Sequence, residues 1–467
     1  MDWTPLTANR DSWQQAGERL RSGELSLVSL WGEPRLAHMA VMDRAGALQV
    51  LHLACGASRF PSIGRLHPPA IRLERAMRDL ADLDAEGAPD TRAWLRHGPS
   101  YPFLPAEGES LHQIPVGPVH AGIIEPGHFR FTANGETVVR LEERLGYAHK
   151  GIDSLLAGAP LERAATLAGR VSGDSTVAYA LAFARAVEAA LGAQIPARAV
   201  YLRALAAELE RLANHFGDIG AVCNDAAFSI MHASCGVLRE QVLRASNTCF
   251  GHRLMMDCVV PGGMRSDLAP AGKQHIAALI ALVRQRFPEL VELYDNTASL
   301  KDRTVDTGIL SPALAQQFAA GGYVGRASGR NFDARRTPGY PPYGDLQFEV
   351  PVVQAGDVNA RVWIRIQEVE QSLALVEQIL ARLPASPVST PLAAPQAAEG
   401  AALVEGFRGD IFAWIRVGAD GRVERCHLRD PSWFQWPLLE AAIEGNIVAD
   451  FPLCNKSFNC SYSGHDL

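Results

Sequence analysis

The chain has 467 residues, of which 48% are hydrophobic and 20% are charged, and its formal net charge is −7. Such a length allows two or three domains with a large buried core, and the composition is ordinary for a globular protein. The acidic balance gives no support for nucleic-acid binding, so we expect no nucleic-acid partner. No apolar run reaches the roughly 20 residues that span a bilayer, and the amino terminus lacks the pattern of a signal peptide. We therefore expect a cytoplasmic or peripheral protein.

The first 105 residues have the pattern of a small α+β domain. Short apolar runs, separated by glycine and charged turns, predict strands at residues 25–30, 36–42 and 48–53. A helix is predicted over residues 69–83. Its apolar side is predicted from three residues: Ile71, Met77 and Leu80. A segment rich in proline and glycine follows at residues 101–113, and we place the domain boundary near residue 105.

Residues 106–467 have the pattern of a mainly helical bundle with small β pieces. Extended segments are predicted at residues 127–132 and 136–141. Helices are predicted at residues 161–191, 199–217, 229–257, 271–293 and 359–382. In one of them apolar residues recur at three- and four-residue steps, which marks one buried face: Leu202, Leu205, Leu209, Leu212 and Phe216. An alanine- and proline-rich stretch at residues 383–402 is predicted to be an exposed connection.

Two segments far apart in sequence have the layout of metal-binding half-sites that have lost most of their thiols. A Cys-x-x-Cys pair just before a terminal histidine can bind a soft transition metal, and the matching residues here are Cys460, Ser463 and His465. The internal stretch 170–175 has the layout Arg-x-Cys-Gly-x-Cys, with Ser172 and Ser175 at the two cysteine positions. Two intact half-sites would together form a four-thiolate cage, and only Cys460 remains of it.

The eight cysteines include no Cys-x-x-Cys pair. This argues against a disulfide framework and against an iron–sulfur cluster held by this chain alone. Buried, inert thiols are the expectation for Cys223, Cys235, Cys249 and Cys258, which lie in apolar helical sequence. Any cluster of a working assembly is expected in a partner subunit.

Five ordered motifs carry a family resemblance: residues 117–129, 145–153, 302–308, 356–361 and 430–432. With these motifs the chain resembles the large subunit of membrane-associated, energy-converting nickel–iron hydrogenases, and it is similar to the 49 kDa subunit of respiratory complex I. Residues 60–90 look like part of the complex I 30 kDa subunit. The resemblance implies an α+β fold in which a hydrogenase large-subunit-like domain, residues 106–467, follows a 30 kDa-like domain, residues 1–105.

In the resembled hydrogenases four cysteines hold nickel and iron, and the matching positions here are Ser172, Ser175, Cys460 and Ser463. Thiolates are soft and form readily beside a metal, whereas an alkoxide is far harder to generate. We therefore expect no nickel–iron centre. Cys460, with His465, is a residual ligand in one interpretation and an inherited core thiol in the other. The polar groups of Ser172, Asp174, Ser175 and Ser463 are predicted to line the converted cavity, where water replaces metal.

The resemblance to complex I implies a quinone headgroup pocket in the same space, with a histidine, a tyrosine and an aspartate. Asp225 matches the aspartate. The histidine position falls on Ile124, four residues after His120, and the tyrosine position falls near Leu167. Because isoleucine and leucine cannot hydrogen-bond a quinone carbonyl, the standard binding mode is not supported. His120 stays open as either a functional group or a hydrogen-bonded structural histidine.

Three further residues are candidates for the chemistry of this cavity. Tyr179 and Tyr462 are conceivable substitutes for the missing tyrosine. Asp153 occupies the place of a glutamate that passes protons in the resembled hydrogenases, and a buried carboxylate with a raised pKa could still relay a proton. The alternative for Asp153 is a charge at a helix N-terminus or an ion pair with Arg170 or Lys150.

Three hypotheses for the function stay open. In the first, the chain is an electron- and proton-coupling subunit of a membrane-associated oxidoreductase complex, holds no metal cofactor of its own and serves a quinone-like acceptor. Its partners would be a small iron–sulfur subunit carrying a 4Fe–4S cluster and the membrane-arm subunits, at the inner face of the cytoplasmic membrane. The second hypothesis is a structural subunit without a redox substrate, and the third is a true hydrogenase with unusual ligands.

Overall fold

The computed structural model describes residues 3–98, 100–120, 124–394 and 396–467. The first two residues and part of the 117–129 motif lie outside these ranges. The strands, in chain order, are β1 (Trp3–Ala8), β2 (Leu25–Glu33), β3 (Leu36–Asp43), β4 (Leu48–Ala54), β5 (Arg59–Pro61), β6 (Asp84–Glu86), β7 (Leu111–Val116), β8 (His128–Asn134), β9 (Thr137–Arg144), β10 (Val259–Val260), β11 (Gly263–Met264), β12 (Ala398–Glu405), β13 (Asp410–Val417) and β14 (Val423–Arg429).

The helices are distributed along the whole chain, and the longest of them lie between residues 176 and 382. They are α1 (Arg10–Arg21), α2 (Ile71–Ala81), α3 (Ile152–Leu156), α4 (Leu161–Ala168), α5 (Thr176–Leu191), α6 (Ala197–Asp225), α7 (Ser229–Phe250), α8 (Pro270–Asn296), α9 (Ala298–Thr304), α10 (Pro312–Gln317), α11 (Gly322–Ala327), α12 (Val358–Arg382), α13 (Ser432–Ile443), α14 (Phe451–Phe458) and α15 (Tyr462–Asp466). This mixture of helices and small sheets confirms the predicted α+β class.

The amino-terminal strands form a sheet in the order β1-β4-β3-β2, in which β1 is parallel to β4 and the other pairs are antiparallel. The three predicted strands are confirmed. Helix α2 packs against β2, but the prediction that Leu80 faces the core is wrong, since Leu80 is 49% exposed. The helix is instead covered on another side, where Asp79 accepts the backbone N–H groups of Trp94 and Leu95.

A second antiparallel sheet, β12-β13-β14, lies between α5 and the amino-terminal sheet. Trp31 of β2 and Trp414 of β13 meet with ring centroids 5.4 Å apart. The prediction that residues 383–402 form an exposed connection is therefore wrong at its carboxyl end, because β12 is buried from Gly400 onward. A Cβ at Gly400 would lie 2.0 Å from the carbonyl oxygen of Ala186, so only glycine permits this approach to α5.

The helical part is built around α6, which packs against α7 and α12. The predicted apolar face of α6 is confirmed, since all five of its residues are fully buried: Leu202, Leu205, Leu209, Leu212 and Phe216. Among the described residues, no helix is both long enough and apolar enough to cross a membrane.

The single helix predicted over residues 161–191 is wrong, because the chain breaks between α4 and α5. The break contains a short 3₁₀ turn, Gly173–Ser175. Helix α5 then starts under Glu210 of α6, whose carboxylate accepts the backbone N–H groups of Val177 and Ala178. A carboxylate at this position satisfies unpaired donors of the first helical turn. The break places residues 172–175 at the start of α5, close to residues 460–463.

The boundary predicted near residue 105 falls in an extended segment between β6 and β7. Apolar side chains from both sides of it share one buried cluster, which includes Trp94, Phe129 and Leu439. The division into two domains stays a prediction.

Candidate functional site

A polar cavity of about 380 Å³ opens where the loop between α4 and α5 meets the segment between α14 and α15. Six of the candidate residues from the sequence line it: Ser172, Asp174, Asp225, Cys460, Tyr462 and Ser463. Ser175, predicted for the same cavity, is not among the lining residues. Four further charged residues also line it: Glu125, Lys150, Arg408 and Lys456. The carboxylates and the cations of the lining are therefore equal in number. We call this space the serine cavity.

Residues 172–175 are held by hydrogen bonds to one carboxylate. Ser172 Oγ donates to Asp174 Oδ1 over 2.5 Å, and Ser175 Oγ donates to the same oxygen over 3.0 Å. Arg408 Nη2 donates to Asp174 Oδ2 over 2.6 Å. Burial alone would raise the pKa of Asp174, but Arg408 and the two hydroxyl donors leave it below its ordinary value. Asp174 is thus an anion, and both serine protons are already donated.

The carboxyl-terminal side of the cavity is a tight turn between two helices. Helix α14 ends at Asn459, whose φ of +46° turns the chain, and Ser461 Oγ accepts the N–H of Gly464 at the start of α15. This turn carries Cys460 with 5% of its surface exposed. Burial raises the pKa of the Cys460 thiol well above its ordinary value, and the nearby carboxylate of Glu143 adds to the shift. Cys460 is therefore a neutral thiol at neutral pH.

The residues at the four cysteine positions do not fit a nickel–iron centre. Such a centre needs soft anionic ligands, but the site offers one neutral thiol, two serines that donate to Asp174, and Ser463. Within residues 3–98, 100–120, 124–394 and 396–467, no group of three or more His, Cys, Asp or Glu side chains is arranged to hold a metal ion. We therefore derive no chemistry through that centre.

His465 does not reach the serine cavity, although the sequence pairs it with Cys460. Its Nε2 accepts a hydrogen bond from Trp94 Nε1 at 3.1 Å, and its Nδ1 donates to Asp466 Oδ1 at 2.8 Å. Trp433 stacks on the ring with centroids 4.0 Å apart. Both ring nitrogens are engaged inside the protein, so His465 has no free nitrogen with which to bind a metal together with Cys460. The histidine makes structural contacts instead.

Asp153 lies in α3, outside the lining of the serine cavity. Its Oδ1 is buried without a hydrogen-bond partner. Burial raises the pKa of Asp153 to about 6, although Arg425 and His149 oppose the shift. The carboxyl group is thus able to change its charge near neutral pH, but it is separate from the other residues predicted for this site.

The ion pair considered for Asp153 is not formed with either predicted partner. Lys150 Nζ donates to the carbonyl oxygens of Arg170 and Val171. The Arg170 side chain pairs with Asp257 at 2.7 Å. Both cations are committed elsewhere, so the predicted ion pair is wrong, whereas Asp153 does lie in the first turn of α3, as the helix-terminus alternative predicts.

The residues that match the quinone pocket are only partly brought together. Asp225 lines the cavity beside Lys456, and burial raises its pKa while Lys456 opposes the rise. Ile124 also lines the cavity and offers no polar group. His120 is not among the lining residues, and its Nε2 donates to the carbonyl oxygen of Gly127 at 2.8 Å. Of the two interpretations of His120, the hydrogen-bonded structural histidine describes this geometry.

The two candidate tyrosines differ in the state of their hydroxyl groups. Tyr179 donates to Asp430 Oδ2 at 2.6 Å and is fully buried. Tyr462 lines the cavity, and its hydroxyl meets no partner with regular hydrogen-bond geometry. Burial raises the pKa of Tyr462, and the neighbouring Asn455 side chain opposes the rise. Tyr462 is therefore the candidate with an unused donor.

Arg408 is a central residue of the cavity that the sequence analysis missed. It lies in the turn between β12 and β13 and is nearly fully buried. Gly409, with φ +140°, permits the close approach of this turn to Gly322, whose backbone nitrogen would lie 2.9 Å from an added Cβ. An arginine next to glycines at a strand end does not by itself indicate a buried functional residue. Its partner Asp174 is distant in sequence, so the ion pair could not be predicted.

Comparisons with known proteins give matches in two related groups. The family model for the 49 kDa subunit of the respiratory-chain NADH dehydrogenase matches residues 225–397. Formate hydrogenlyase subunit 5 of Escherichia coli is 30% identical over 450 residues, which cover 87% of this chain and 77% of that protein. The carbon monoxide-induced hydrogenase of Rhodospirillum rubrum is 30% identical, over 75% of this chain and 98% of that protein. The NADH-quinone oxidoreductase of a Roseiflexus species has a component that is also 30% identical, over 72% of this chain and 94% of that protein.

Proposed function

Since this chain belongs to the family of energy-converting hydrogenase large subunits and complex I 49 kDa subunits, we propose that it is an electron- and proton-coupling subunit of a membrane-associated oxidoreductase complex. The serine cavity receives a quinone-like acceptor. Two electrons arrive one at a time from an iron–sulfur cluster of a small partner subunit, which the electron donor of the complex reduces again after each transfer, and two protons arrive through polar groups of the protein. The products are the quinol and two electron equivalents of oxidised donor, and membrane-arm partners receive the resulting change in charge.

The observation that carries the proposal is the persistence of an open, polar cavity at the converted cysteine positions. A subunit kept for assembly alone would have no need of open space among Ser172, Ser463 and Asp225. The cavity instead keeps about 380 Å³ and reaches Asp225. Its equal numbers of carboxylates and cations favour a neutral polar guest over a strongly charged one.

Three groups are available to bind the carbonyl oxygens of such a guest. The Tyr462 hydroxyl has no regular partner, and the Asn455 amide and the Lys456 ammonium also line the cavity. Each can donate a hydrogen bond to a carbonyl oxygen, and a charged donor binds more strongly than a neutral one. This donor set differs from the histidine and tyrosine that the complex I resemblance implies.

A structural subunit without a redox substrate is the second candidate, and the saturated loop at residues 172–175 favours it. Ser172, Ser175 and Arg408 all satisfy Asp174, so the loop needs no ligand to be stable. The third hypothesis, a hydrogenase with unusual ligands, has no donor set to support it.

The test uses the intact purified complex and a photoreactive short-chain quinone analogue. Saturable labelling of residues 452–463, with competition by an unmodified quinone, supports the proposal. An intact complex in which this chain takes no saturable label favours the structural subunit. Nickel analysis of the same preparation decides the third hypothesis.

A further inference from the structure

A second cavity of about 370 Å³ lies between α2, β9 and α13. Its lining combines apolar side chains with a cluster of ion pairs. Arg72 of α2 contacts two carboxylates at once, Glu143 of β9 at 3.2 Å and Glu440 of α13 at 2.6 Å. Glu440 also accepts the backbone N–H of Glu143 at 2.8 Å. One guanidinium group therefore serves two carboxylates that are themselves neighbours.

The charges around this cavity do not balance when every group is ionised. Arg75 pairs with Asp90, and Arg92 pairs with both Asp90 and Glu142. Together with the Arg72 contacts this makes three guanidinium groups for four carboxylates. Arg140 lies near Glu444, and Arg144 lies near Asp79, so these four groups add no net charge. One carboxylate is left without a compensating cation.

The uncompensated charge falls on the most buried carboxyl group. Glu143 is 1% exposed and lines the cavity, and its Oε1 is buried without a hydrogen-bond partner. A buried, ionised oxygen that is neither paired nor hydrogen-bonded is costly, and a carboxyl group avoids this cost by taking up a proton. The Oε1 atom is free to carry that proton.

We propose that Glu143 and Glu440, which both contact Arg72, form a proton-binding pair that holds one proton between them. The pair lies beside the second cavity and next to the serine cavity. The ligand of this site is a proton, delivered from water in the second cavity. Two carboxylates that share one cation keep a single negative charge between them, in the manner of other close carboxylate pairs. Burial and the charge of Glu440 raise the pKa of Glu143 well above its ordinary value, and burial raises that of Glu440.

The pair is coupled electrostatically to the serine cavity. The charge of Glu143 adds to the upward pKa shifts of Cys460 and Tyr462, both of which line that cavity. Deprotonation of Glu143 would therefore hold Cys460 and Tyr462 more firmly in their protonated, neutral forms. The relevance of this coupling to an acceptor in the serine cavity rests on the proposed function, but the proton-binding pair itself does not.

The test measures neutral carboxylic acids by infrared spectroscopy on the full chain, with no acceptor and no turnover. Glu143→Gln and Glu440→Gln are each expected to remove one carboxylic-acid carbonyl equivalent near neutral pH, because one remaining carboxylate is balanced by Arg72. The double variant is expected to lose no more than either single variant. This non-additivity is the signature of one shared proton.

Matched controls separate the pair from other buried acids. Glu74, whose pKa is raised by burial to about 7, lies outside the cluster, so Glu74→Gln is expected to remove its own band and to add fully to the loss in Glu440→Gln.

If Glu143→Gln does not fold, Glu440→Gln alone decides, since Glu440 is less buried. Unchanged bands in the single variants, or twice the loss in the double variant, would overturn the proposal. Because no quinone is present, failure here leaves the proposed function untouched.

Discussion

Arg408 and Asp174 form an ion pair that fixes the loop of Ser172 and Ser175 against the turn between β12 and β13. The two residues are far apart in sequence, and Arg408 Nε also donates to the carbonyl oxygen of Asn459. One guanidinium group thus joins the two segments that carry the four cysteine positions of the resembled hydrogenases. The serine cavity owes its shape to this pair.

Arg408→Gln is expected to destabilise the protein by about 2–3 kcal/mol, because it leaves the Asp174 carboxylate without its cation. A fully buried pair costs roughly 3–5 kcal/mol when broken, and the one-third exposure of Asp174 reduces this figure. Urea unfolding of the full chain measures the change. Arg244→Gln, which breaks an exposed pair with Glu240, is the matched control and should cause little change. Equal stability of Arg408→Gln and the parent chain would contradict this role.

Asp153→Asn is expected to flatten the pH dependence of stability between about pH 4 and 6. The folded-state pKa of about 6 lies above the value of ~3.9 in an unfolded chain, so the folded state is favoured when Asp153 is protonated. That stability is complete below about pH 4 and is lost as the pH rises to 6, by roughly 2–3 kcal/mol. Thermal unfolding across this range measures the slope. Parallel pH profiles for the variant and the parent chain would show that Asp153 does not titrate in this window.

A chain with Ser172→Cys, Ser175→Cys and Ser463→Cys tests whether the four cysteine positions face one another. We expect it to bind one zinc ion per chain, because four thiolates suit the tetrahedral preference of zinc, whereas the parent chain binds none. Adding Cys460→Ser to the triple variant is expected to weaken binding at least tenfold. Zinc titration with a colorimetric competitor gives both affinities. A triple variant that binds no more zinc than the parent would place the four positions too far apart.

Tyr462→Phe is expected to weaken binding of a quinone analogue to the intact complex by about 3–10-fold. The variant removes one hydroxyl donor, and a neutral hydrogen bond contributes about 0.5–1.5 kcal/mol. Tyr201→Phe, on α6 and outside the cavity lining, is the control and should bind as the parent does. Competition against the photoreactive analogue measures both. Equal affinities of all three proteins would remove Tyr462 from the binding groups.

The sequence predicts the parts of this fold that depend on local periodicity. The buried face of α6 follows from its leucine spacing, and the strands near the amino terminus follow from apolar runs between turns. The sequence analysis missed the break before α5, although Gly169 and Gly173 lie in it, because the group that caps the new helix is Glu210 of α6. Local patterns describe such helix starts poorly when the capping group is distant in sequence.

In the site, too, the sequence predicts what local motifs carry and misses contacts between residues that are far apart in the chain. Ser172, Asp174, Cys460 and Ser463, which the motifs group together, line one cavity, whereas Ser175 of the same group does not. They could not reveal that His465 turns away, because its partner Trp94 lies in the amino-terminal region, 371 positions earlier. The importance of Arg408 likewise depends on a contact across the fold.

Nickel content of the intact purified complex, measured together with hydrogen uptake and evolution, tests the central claim most directly. The claim is that hydroxyl groups at three of four thiolate positions leave no nickel–iron centre in this chain. We predict nickel far below one equivalent per chain and no hydrogen turnover. One equivalent of nickel accompanied by hydrogen turnover would contradict it.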